Sequence, residues 1–276
     1  MNNKSNNNLI YDVGMHIGRD TEFYLQKGFH VIAIEANPAL AEQAAINFSD
    51  FVKNKKLQIF NIAINDQEGE TDFYINLQKD DWGTLSKEYA ERNEKLGTTN
   101  ETINVKCVRF ENIINECGMP YYIKIDIEGA DTYCLDALKN FSDKPKFISI
   151  EATLNENNQE LNDLNSLRDL GYKEFKIVNQ ALNHTFKCPD PALEGTFVDA
   201  SFDGFCSGPF GEEAPGIWLD FNQTVKKLRK IERVHNMFGA NGKYYNTAAH
   251  RLYNKFMRLT GGEPVGWYDI HGKLPD

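Results

Sequence analysis

The first half of the chain alternates short apolar runs with amphipathic segments. The pattern predicts strands at residues 9–13, 30–34 and 57–64, and helices at residues 19–27 and 38–51 between them. The connections between these segments are short, which is typical of strand–helix–strand units. We therefore expect the strands to pair in parallel and the helices to cover the sheet.

The alternation continues after a polar interruption. An inserted strand is predicted first, and the polar residues that follow it have no clear period and indicate a surface excursion. Beyond them come further strands and helices, and then a segment rich in glycine, proline and phenylalanine with two helical patterns behind it. In chain order these segments are an inserted strand at 71–75, the excursion at 76–104, a strand at 121–127, a helix at 130–141, strands at 146–150 and 175–179 with a helix at 161–170 between them, the irregular segment at 184–216, and helices at 223–238 and 247–259.

These patterns predict an α/β fold, a Rossmann-like sheet with helices on both faces, over residues 9–183. Residues 1–8 are polar and rich in asparagine, which indicates a disordered tail. Residues 184–276 are expected to form an irregular and helical C-terminal extension that packs on the core as an acceptor wall or a lid.

Composition narrows the classes of function. The formal net charge is −10 and the pI is about 5.2, so the surface repels phosphate backbones and nucleic acid is a poor partner. No apolar run is long enough to cross a bilayer, and the N-terminus does not resemble a signal peptide, so we expect a cytoplasmic protein without membrane contact. The cysteines (Cys107, Cys117, Cys134, Cys188 and Cys206) form no C-x-x-C pair, which favours reduced thiols over disulfides or a metal centre.

The first strand leads into the most informative motif of the chain. Asp12 ends this strand, Gly14 and Gly18 bound a turn, and Glu35 ends the next strand. A glycine turn before a helix allows close approach to a ligand, and an acid about 20 residues on can bind ribose hydroxyls. A dinucleotide requires a second glycine where His16 stands. The motif therefore favours S-adenosylmethionine, with Asp12 near its amino group and Glu35 at its ribose.

A second group of acids follows the strand at 121–127. In the sequence KIDIEGAD, Asp126 stands inside an apolar strand, and Glu128 and Asp131 follow it. Ligands of open α/β sheets bind beyond the carboxyl ends of the strands, so Asp126 should face the same crevice as Gly14. Glu128 and Asp131 have a simpler alternative role, since acids also stabilise the N-terminus of a helix.

Together the stretches YDVGMHIG (11–18), VIAIEANP (31–38) and IKIDIEGAD (123–131) resemble the FkbM family of methyltransferases. The resemblance implies a class I methyltransferase fold and O-methylation of sugars, glycans or polyketide-type natural products. It also implies that Asp126 and Glu128 face the transferred methyl group. The residues expected around the cofactor are Asp12, Gly14, His16, Gly18, Glu35, Ala36, Asn61, Ala63 and Asp126, with Asp66 as a further polar contact. The third strand lacks the acid that often contacts adenine, so backbone contact is expected there.

A hydroxyl acceptor must lose a proton, and a carboxylate or a histidine usually takes it. Asp126, Glu128 and Glu151 are the catalytic candidates, because each ends a strand or follows one. His16, His184 and His271 are further candidates, although a histidine in a loop is more often a surface or packing residue. A divalent cation held by the acids is an alternative that we do not favour.

The acceptor itself is expected to be a small molecule or a glycan. Residues 80–86, 207–213 and 266–271 combine glycines, aromatic rings and polar groups and are candidate acceptor walls. Trp82 and Trp267 could serve this purpose or simply pack, and Trp218 is expected in the core. Three other functions stay open: N- or carboxyl-methylation of a small molecule, an NAD-type oxidoreductase, and a non-catalytic binding module. Nothing in the sequence indicates the oligomeric state.

Overall fold

The computed structural model describes residues 6–154, 158–239 and 242–275, with the backbone alone at Asn6 and Arg258. The chain divides into two compact units, Met1–Ile148 and Ser149–Asp276. The first unit contains, in chain order, β1 (Asn6–Val13), α1 (Arg19–Gln26), β2 (His30–Ile34), α2 (Pro38–Asn47), α3 (Ser49–Lys53), β3 (Leu57–Phe60), β4 (Ala63–Ile64), β5 (Gly69–Asn76), α4 (Lys87–Lys95), β6 (Asn100–Val108), α5 (Phe110–Cys117), β7 (Pro120–Ile125) and α6 (Asp131–Leu138).

Parallel strands form the main sheet of the first unit, in the order β3-β2-β1-β7. In this sheet β1 lies between β2 and β7, and Asp12 pairs with both Ala33 and Lys124. A strand with neighbours on both sides and helices on its faces is apolar along its length, as Ile10, Tyr11 and Val13 are. The α/β class and the parallel strand–helix–strand units predicted from the sequence are confirmed.

The second helix of the sequence prediction is divided in the structure. Pro38 starts α2 as expected, with the Asn37 side chain accepting a hydrogen bond from the Ala39 backbone N–H. The helix ends before Phe48, and α3 then begins at Ser49. The Phe48 ring packs where a side chain at Gly18 would lie. The prediction of one helix over residues 38–51 was therefore wrong, and the break places an aromatic ring against the turn that follows β1.

The predicted strand over residues 57–64 is also divided. Its first part, β3, pairs with β2, whereas β4 belongs to a separate small sheet of order β4-β6-β5. In that sheet β5 and β6 pair antiparallel over their whole lengths. The surface excursion expected at 76–104 contains regular structure that its weak periodicity did not indicate, because this segment includes α4 and enters β6. The many polar residues of α4 obscured its helical period. Strand β6 is stabilised by its pairing with β5, which the local sequence does not reveal.

The second unit is mixed α/β and contains, in chain order, β8 (Phe147–Glu151, which begins just before the unit boundary), α7 (Gln159–Asp169), β9 (Glu174–Asn179), α8 (Phe221–Phe238), α9 (Ala248–Thr260) and β10 (Tyr268–Lys273). Here β10 pairs antiparallel with β9 and also neighbours β8. Strand β10 was not predicted from the sequence. The predicted domain boundary after residue 183 separates β9 from β10, two strands that the structure pairs.

The N-terminal boundary differs from the prediction as well. Residues 6–8 belong to β1, where Asn6 pairs with Pro120, so the expectation of a disordered tail was wrong for these three residues. Their backbone groups add to the ladder with β7, although their side chains are polar. Residues 1–5 of the predicted tail lie outside the described residues. No helix in the described part of the chain is long and apolar enough to cross a membrane.

Candidate functional site

The turn between β1 and α1 has an unusual backbone conformation. Gly14, His16 and Gly18 have φ angles of +87°, +53° and +83°. The backbone N–H groups of Gly14 and Met15 both donate to the carbonyl of Ile34, at 3.0 Å each. A Cβ at Gly14 would lie 1.8 Å from the carbonyl oxygen of Asp126, so only glycine fits there. The turn therefore brings β1, β2 and β7 together at their carboxyl ends.

Glu35 is fixed at the edge of this turn. One carboxylate oxygen accepts from the His16 backbone N–H at 2.7 Å, and the other accepts from the Asn37 N–H at 2.8 Å. Burial raises the pKa of this carboxyl, whereas the two N–H donors lower it. Each carboxylate oxygen can accept more than one hydrogen bond. The side chain is thus oriented by backbone and still has capacity for a ligand's hydroxyl groups.

The residues expected beside the adenine also come together. The Asn61 side-chain amide donates to the carbonyls of Glu35 and Ala36, at 2.9 and 3.2 Å. Ala63 is buried in β4, and Ala36 packs against the apolar cluster to which Ala63 belongs. Asn61 therefore holds the segment after β2 in place, and its contact with a cofactor stays a prediction. Asp66, the further polar candidate, is exposed.

Asp12 lies beneath the turn, not on its surface. It is fully buried, and one of its carboxylate oxygens accepts from the Thr21 hydroxyl at 2.6 Å. The other oxygen lies 3.7 Å from the Lys124 ammonium. Burial, partly offset by Lys124, raises the pKa of Asp12 to about 6. A role at the cofactor's amino group stays a prediction, and the structure adds an ion pair that the sequence did not indicate.

Lys124 links the acids near the first turn to the acid that follows β7. This link was not predicted from the sequence. Its ammonium lies 3.7 Å from Asp12, 3.2 Å from Asp20 and 3.3 Å from Asp126, and the residue is almost fully buried. A buried ammonium among carboxylates is stable only while the charges compensate one another. The available signal was a lysine within the otherwise apolar strand YYIKI, a position where a charge needs a partner.

Glu128 is the acid whose protonation the site changes most. Its carboxylate lies 3.7 Å from the Arg92 guanidinium, and its backbone has a φ of +47°. The Thr84 hydroxyl donates to its carbonyl at 2.6 Å. Burial, followed by the neighbouring charge of Asp126, raises the pKa of Glu128 to about 8, against the lowering effect of Arg92. Asp126 itself is the more open acid, with 41% of its side chain exposed.

Asp131 supports the local backbone. Its two carboxylate oxygens accept from the N–H groups of Ile127 and Gly129, both at 3.2 Å. Burial raises its pKa to about 6, and the charge of Asp126 adds to this effect. These contacts hold the turn that presents Glu128, and the alternative in which this acid stabilises the start of α6 stays a prediction.

The segment after β5 contributes to the same site. A short 3₁₀ turn, Asp80–Trp82, places the Asp80 carboxylate 3.2 Å from the His16 imidazole. The Lys79 ammonium lies over the Trp82 ring at 4.0 Å. Residues 80–86 were predicted as an acceptor wall, and they contact the turn after β1 through His16 and the segment after β7 through Glu128. Arg92 was not predicted as a site residue. It lies in α4, and the helical period of this segment was not recognised in the sequence.

Other candidates lie in the second unit. Glu151 ends β8, and His184 is exposed in a 3₁₀ turn. His271 is buried in β10, where burial and the nearby Lys176 lower its pKa to about 3. It is therefore a neutral core residue and not an accessible base. No group of three or more metal-ligating side chains that could hold an ion occurs in the described ranges.

The aromatic candidates of the second unit differ in environment. The Trp218 indole N–H donates to Glu212 at 2.8 Å, and Lys176 lies over its ring. Trp267 is half exposed. The predicted wall segments 207–213 and 266–271 contain the buried rings of Phe210 and Tyr268 as well as the accessible ring of Trp267, and their contact with an acceptor stays a prediction.

In the first unit, then, a glycine turn, an oriented carboxylate and two acids of different exposure lie at neighbouring strand ends. Comparison with known proteins gives a consistent result. A family profile described as Methyltransferase FkbM domain matches residues 12–174. No curated protein shows a significant sequence match to the chain.

Solved structures of methyltransferases resemble the chain at low identity. The FkbM methyltransferase of Methylobacillus flagellatus KT is 13% identical with a TM-score of 0.40, over 62% of this chain and 39% of that one. A SAM-dependent O-methyltransferase of Thermotoga maritima is 12% identical with a TM-score of 0.33, over 63% and 48%. A Haemonchus contortus N-methyltransferase, solved with phosphomonomethylethanolamine and S-adenosylhomocysteine, is 10% identical with a TM-score of 0.36, over 100% and 51%. This chain therefore spans less than half of the Methylobacillus protein.

Proposed function

The chain belongs to the FkbM family of S-adenosylmethionine-dependent methyltransferases, and from this we propose that it methylates a hydroxyl oxygen of a sugar, a glycan or a natural product. Its fold is the Rossmann-like fold of class I methyltransferases, and its cofactor is S-adenosylmethionine. The family does not specify the acceptor, and the acids at the end of β7 are the observation that supports a hydroxyl.

We propose that the cofactor binds along the turn after β1. The oriented carboxylate of Glu35 supports a ribose contact, because its oxygens are fixed by backbone donors and remain able to accept. Glycine at positions 14 and 18 lets the turn pack against the Asp126 carbonyl and the Phe48 ring, and this packing positions the backbone of the turn for the cofactor. The residues assigned to the cofactor are Asp12, Gly14, His16, Gly18, Glu35, Ala36, Asn61, Ala63 and Asp126. S-adenosylmethionine supplies a methyl group that is already activated on a sulfonium.

Glu128 is the proposed proton acceptor. The raised pKa of this carboxyl, about 8, is the observation that carries the proposal, because a general base works best when its pKa is near the operating pH. The half-exposed Asp126 beside it is assigned to orienting the acceptor hydroxyl, and Lys124 orients Asp126 in turn. Alignment of donor and acceptor contributes the rest of the acceleration, on the order of 7–11 kcal/mol. Glu151 is the alternative base.

The polar, partly aromatic wall at residues 80–86 supports a sugar-like acceptor. Asp80 and Asp81 can accept hydrogen bonds from hydroxyl groups, and Trp82 offers a ring with one face under Lys79. An amine acceptor would not require a base with a raised pKa, which is why N-methylation is the second candidate.

The proposal is tested by methyl transfer from labelled S-adenosylmethionine to a panel of sugars, glycans and matched amines. We expect label in an alkali-stable ether. The rate should fall about tenfold for each pH unit below 8, since Glu128 must be deprotonated. Glu128→Gln should lower turnover at least about 100-fold and leave the affinity for S-adenosylhomocysteine unchanged. The control is Glu88→Gln, at an exposed position of α4. Label on nitrogen, or a rate independent of pH, contradicts the proposal.

A further inference from the structure

Helix α9, in the second unit, has two faces with apolar residues, and one of them is covered. The Tyr253 ring stacks on Phe238 with centroids 4.6 Å apart, and His250 stacks on the same ring at 6.3 Å. The Asn254 side chain accepts from the Val265 backbone N–H at 3.0 Å. These contacts attach the helix to its own unit through one side.

The other apolar face of α9 is open to solvent. Leu252, Phe256 and Leu259 are 68%, 59% and 77% exposed. Their spacing of four and three residues places them in one row, about 10 Å long, which we call the outer stripe. Single exposed leucines are ordinary, but a continuous apolar stripe on a helix marks an interaction surface.

Positive charge is concentrated in the segment of the chain that contains the outer stripe. Residues 221–260 contain nine lysines and arginines and one acidic residue, a formal charge of +8, whereas the whole chain carries −10. Arg251 and Lys255 precede Leu252 and Phe256 by one residue each, so they lie along one flank of the stripe. The exposed cations of this segment are Lys226, Arg229, Lys230, Arg233, Lys243, Arg251 and Lys255.

We propose that α9 docks on the surface of an anionic lipid bilayer. The outer stripe would enter the boundary between headgroups and acyl chains, and the flanking cations would contact lipid phosphates, as in other basic amphipathic helices. The half-exposed rings of Tyr244 and Tyr245, just before α9, suit the same boundary. Nucleic acid would use the cations alone and would leave the stripe in water, so the combination of the two fits lipid.

This surface was not expected from the sequence, where membrane contact was excluded. That exclusion was based on the lack of a long apolar run and on the acidic charge of the whole chain. Neither concerns a helix that lies flat on a bilayer, since such a helix needs only one apolar face and a local excess of cations. The charge is concentrated in one segment, and the average over the chain conceals it.

The affinity of α9 for a bilayer follows from the contributions of its apolar and its cationic side chains. Each large apolar side chain that leaves water contributes about a tenfold gain in affinity. Each cation near an anionic surface contributes about fivefold, and salt screens this contribution. A stripe of three side chains therefore gives reversible binding that depends on both terms.

The test is flotation of the full chain with vesicles of phosphatidylcholine containing phosphatidylglycerol, and with phosphatidylcholine vesicles alone. We expect binding to the anionic vesicles only, weakened by added salt. Phe256→Ser should reduce the affinity about tenfold, and Arg251→Gln about fivefold. The matched controls are Ile46→Ser, an apolar residue that is 63% exposed on α2, and Lys53→Gln on α3. Circular dichroism of each variant checks that the helices persist.

Several results would overturn the proposal. The proposal is wrong if the chain does not bind anionic vesicles, or if it binds neutral vesicles equally well. It is also wrong if the α9 variants and their control variants lose the same affinity. Two further results would assign the surface to another occupant. A dimer that Phe256→Ser converts to monomer would show that a second copy covers the stripe. Tight binding to duplex DNA that Phe256→Ser leaves unchanged would assign the cations to nucleic acid. The assay needs neither cofactor nor acceptor, so its outcome is independent of the proposed methyl transfer.

Discussion

At the scale of single residues, Glu35 joins the backbone of the turn to the proposed ribose contact. Glu35→Ala removes an acceptor for the N–H groups of His16 and Asn37 as well as the contact with the ligand. Hydrogen bonds to a charged group contribute about 1.5–3 kcal/mol each. We therefore expect the affinity for S-adenosylhomocysteine, measured by calorimetry, to fall at least about tenfold.

The control for Glu35 is Glu42→Ala, which removes an exposed carboxylate from α2. It should leave the affinity unchanged. Thermal unfolding without ligand separates the loss of the turn from the loss of the contact. If Glu35→Ala binds the ligand as wild type does, the assignment of the ribose to this residue is wrong.

Lys124 is the residue on which the buried charges depend. Lys124→Met keeps the volume of the side chain but leaves Asp12 and Asp20 without their ammonium, and breaking a buried pair costs about 3–5 kcal/mol. We expect a loss of this size in the free energy of unfolding at pH 8, measured by urea denaturation. Lys139→Met, at an exposed pair with Asp136, should change it by less than about 1 kcal/mol.

Acid should reduce the effect of Lys124→Met, because a protonated carboxyl needs no ammonium. Asp12 already has a pKa of about 6, so the loss should be smaller at pH 5 than at pH 8. An equal loss at both pH values would mean that packing, and not charge, accounts for the effect.

At the scale of elements, the close approach of the first turn to β7 is the contact that fixes the site. Gly14→Ala would place a Cβ against the Asp126 carbonyl at a φ of +87°. Gly28 has a similar φ of +94°, but a Cβ there meets nothing within 4 Å. Both variants bear the strain of a left-handed alanine, about 1–2 kcal/mol, and only the first must also move backbone.

The pair therefore isolates the close approach. We expect Gly14→Ala to lose at least about 2 kcal/mol more stability than Gly28→Ala in chemical denaturation, and to lose cofactor affinity as well. Similar losses in the two variants would mean that the turn can shift away from β7 at little cost.

Sequence reasoning predicted the elements whose own pattern is strong. His30–Ile34 was located to the residue, and the strand–helix–strand order around Gly14 and Glu35 followed from apolar runs and turn residues. It failed where pairing partners decide the structure. The run at 57–64 looks like one strand, yet the Asn61 side chain donates to two backbone carbonyls after β2 and β4 joins another sheet.

The candidate site shows the same division. Its acids were found because each stands at a strand end, a position that the local sequence reveals. Two residues that contact Glu128, Thr84 at its backbone carbonyl and Arg92 at its carboxylate, were not assigned to it from the sequence. They lie 44 and 36 positions from Glu128 in the chain, and no local pattern indicates which acid they contact. Tertiary contact, and not propensity, selects such residues.

At the scale of the whole molecule, charge is separated along the chain. Residues 221–260 carry +8, so the remainder carries −18. An acidic remainder disfavours polyanionic acceptors by long-range repulsion, while the basic segment attracts anionic surfaces over a Debye length of about 8 Å. The two proposals are therefore compatible, since an uncharged sugar or natural product could be methylated by a protein held at a lipid surface.

The buried titratable groups give the last prediction, which concerns stability against pH. Raised pKa values of about 8 at Glu128 and about 6 at Asp12 and Asp131 mean that the folded state holds these protons more tightly than the unfolded state. Their stabilisation is complete below the unfolded pKa values near 4 and is lost as the pH rises to 8. His271 acts in the opposite direction, since its pKa of about 3 makes stability fall as the pH drops below 6.5.

Between pH 8 and 6 the carboxyls outweigh the histidine, because folded Glu128 takes up most of its proton in this range, whereas unfolded His271 begins to take up its proton only near pH 6.5. We therefore expect the melting temperature, measured by calorimetry, to rise as the pH is lowered from 8 to 6. Glu128→Gln, which mimics the protonated acid, should remove much of this rise and be more stable than wild type at pH 8 by an amount on the order of a few kcal/mol. Glu88→Gln, at an exposed site, should follow wild type. A wild-type melting temperature that falls from pH 8 to 6 would contradict the raised pKa of Glu128, and with it the argument for this residue as the base.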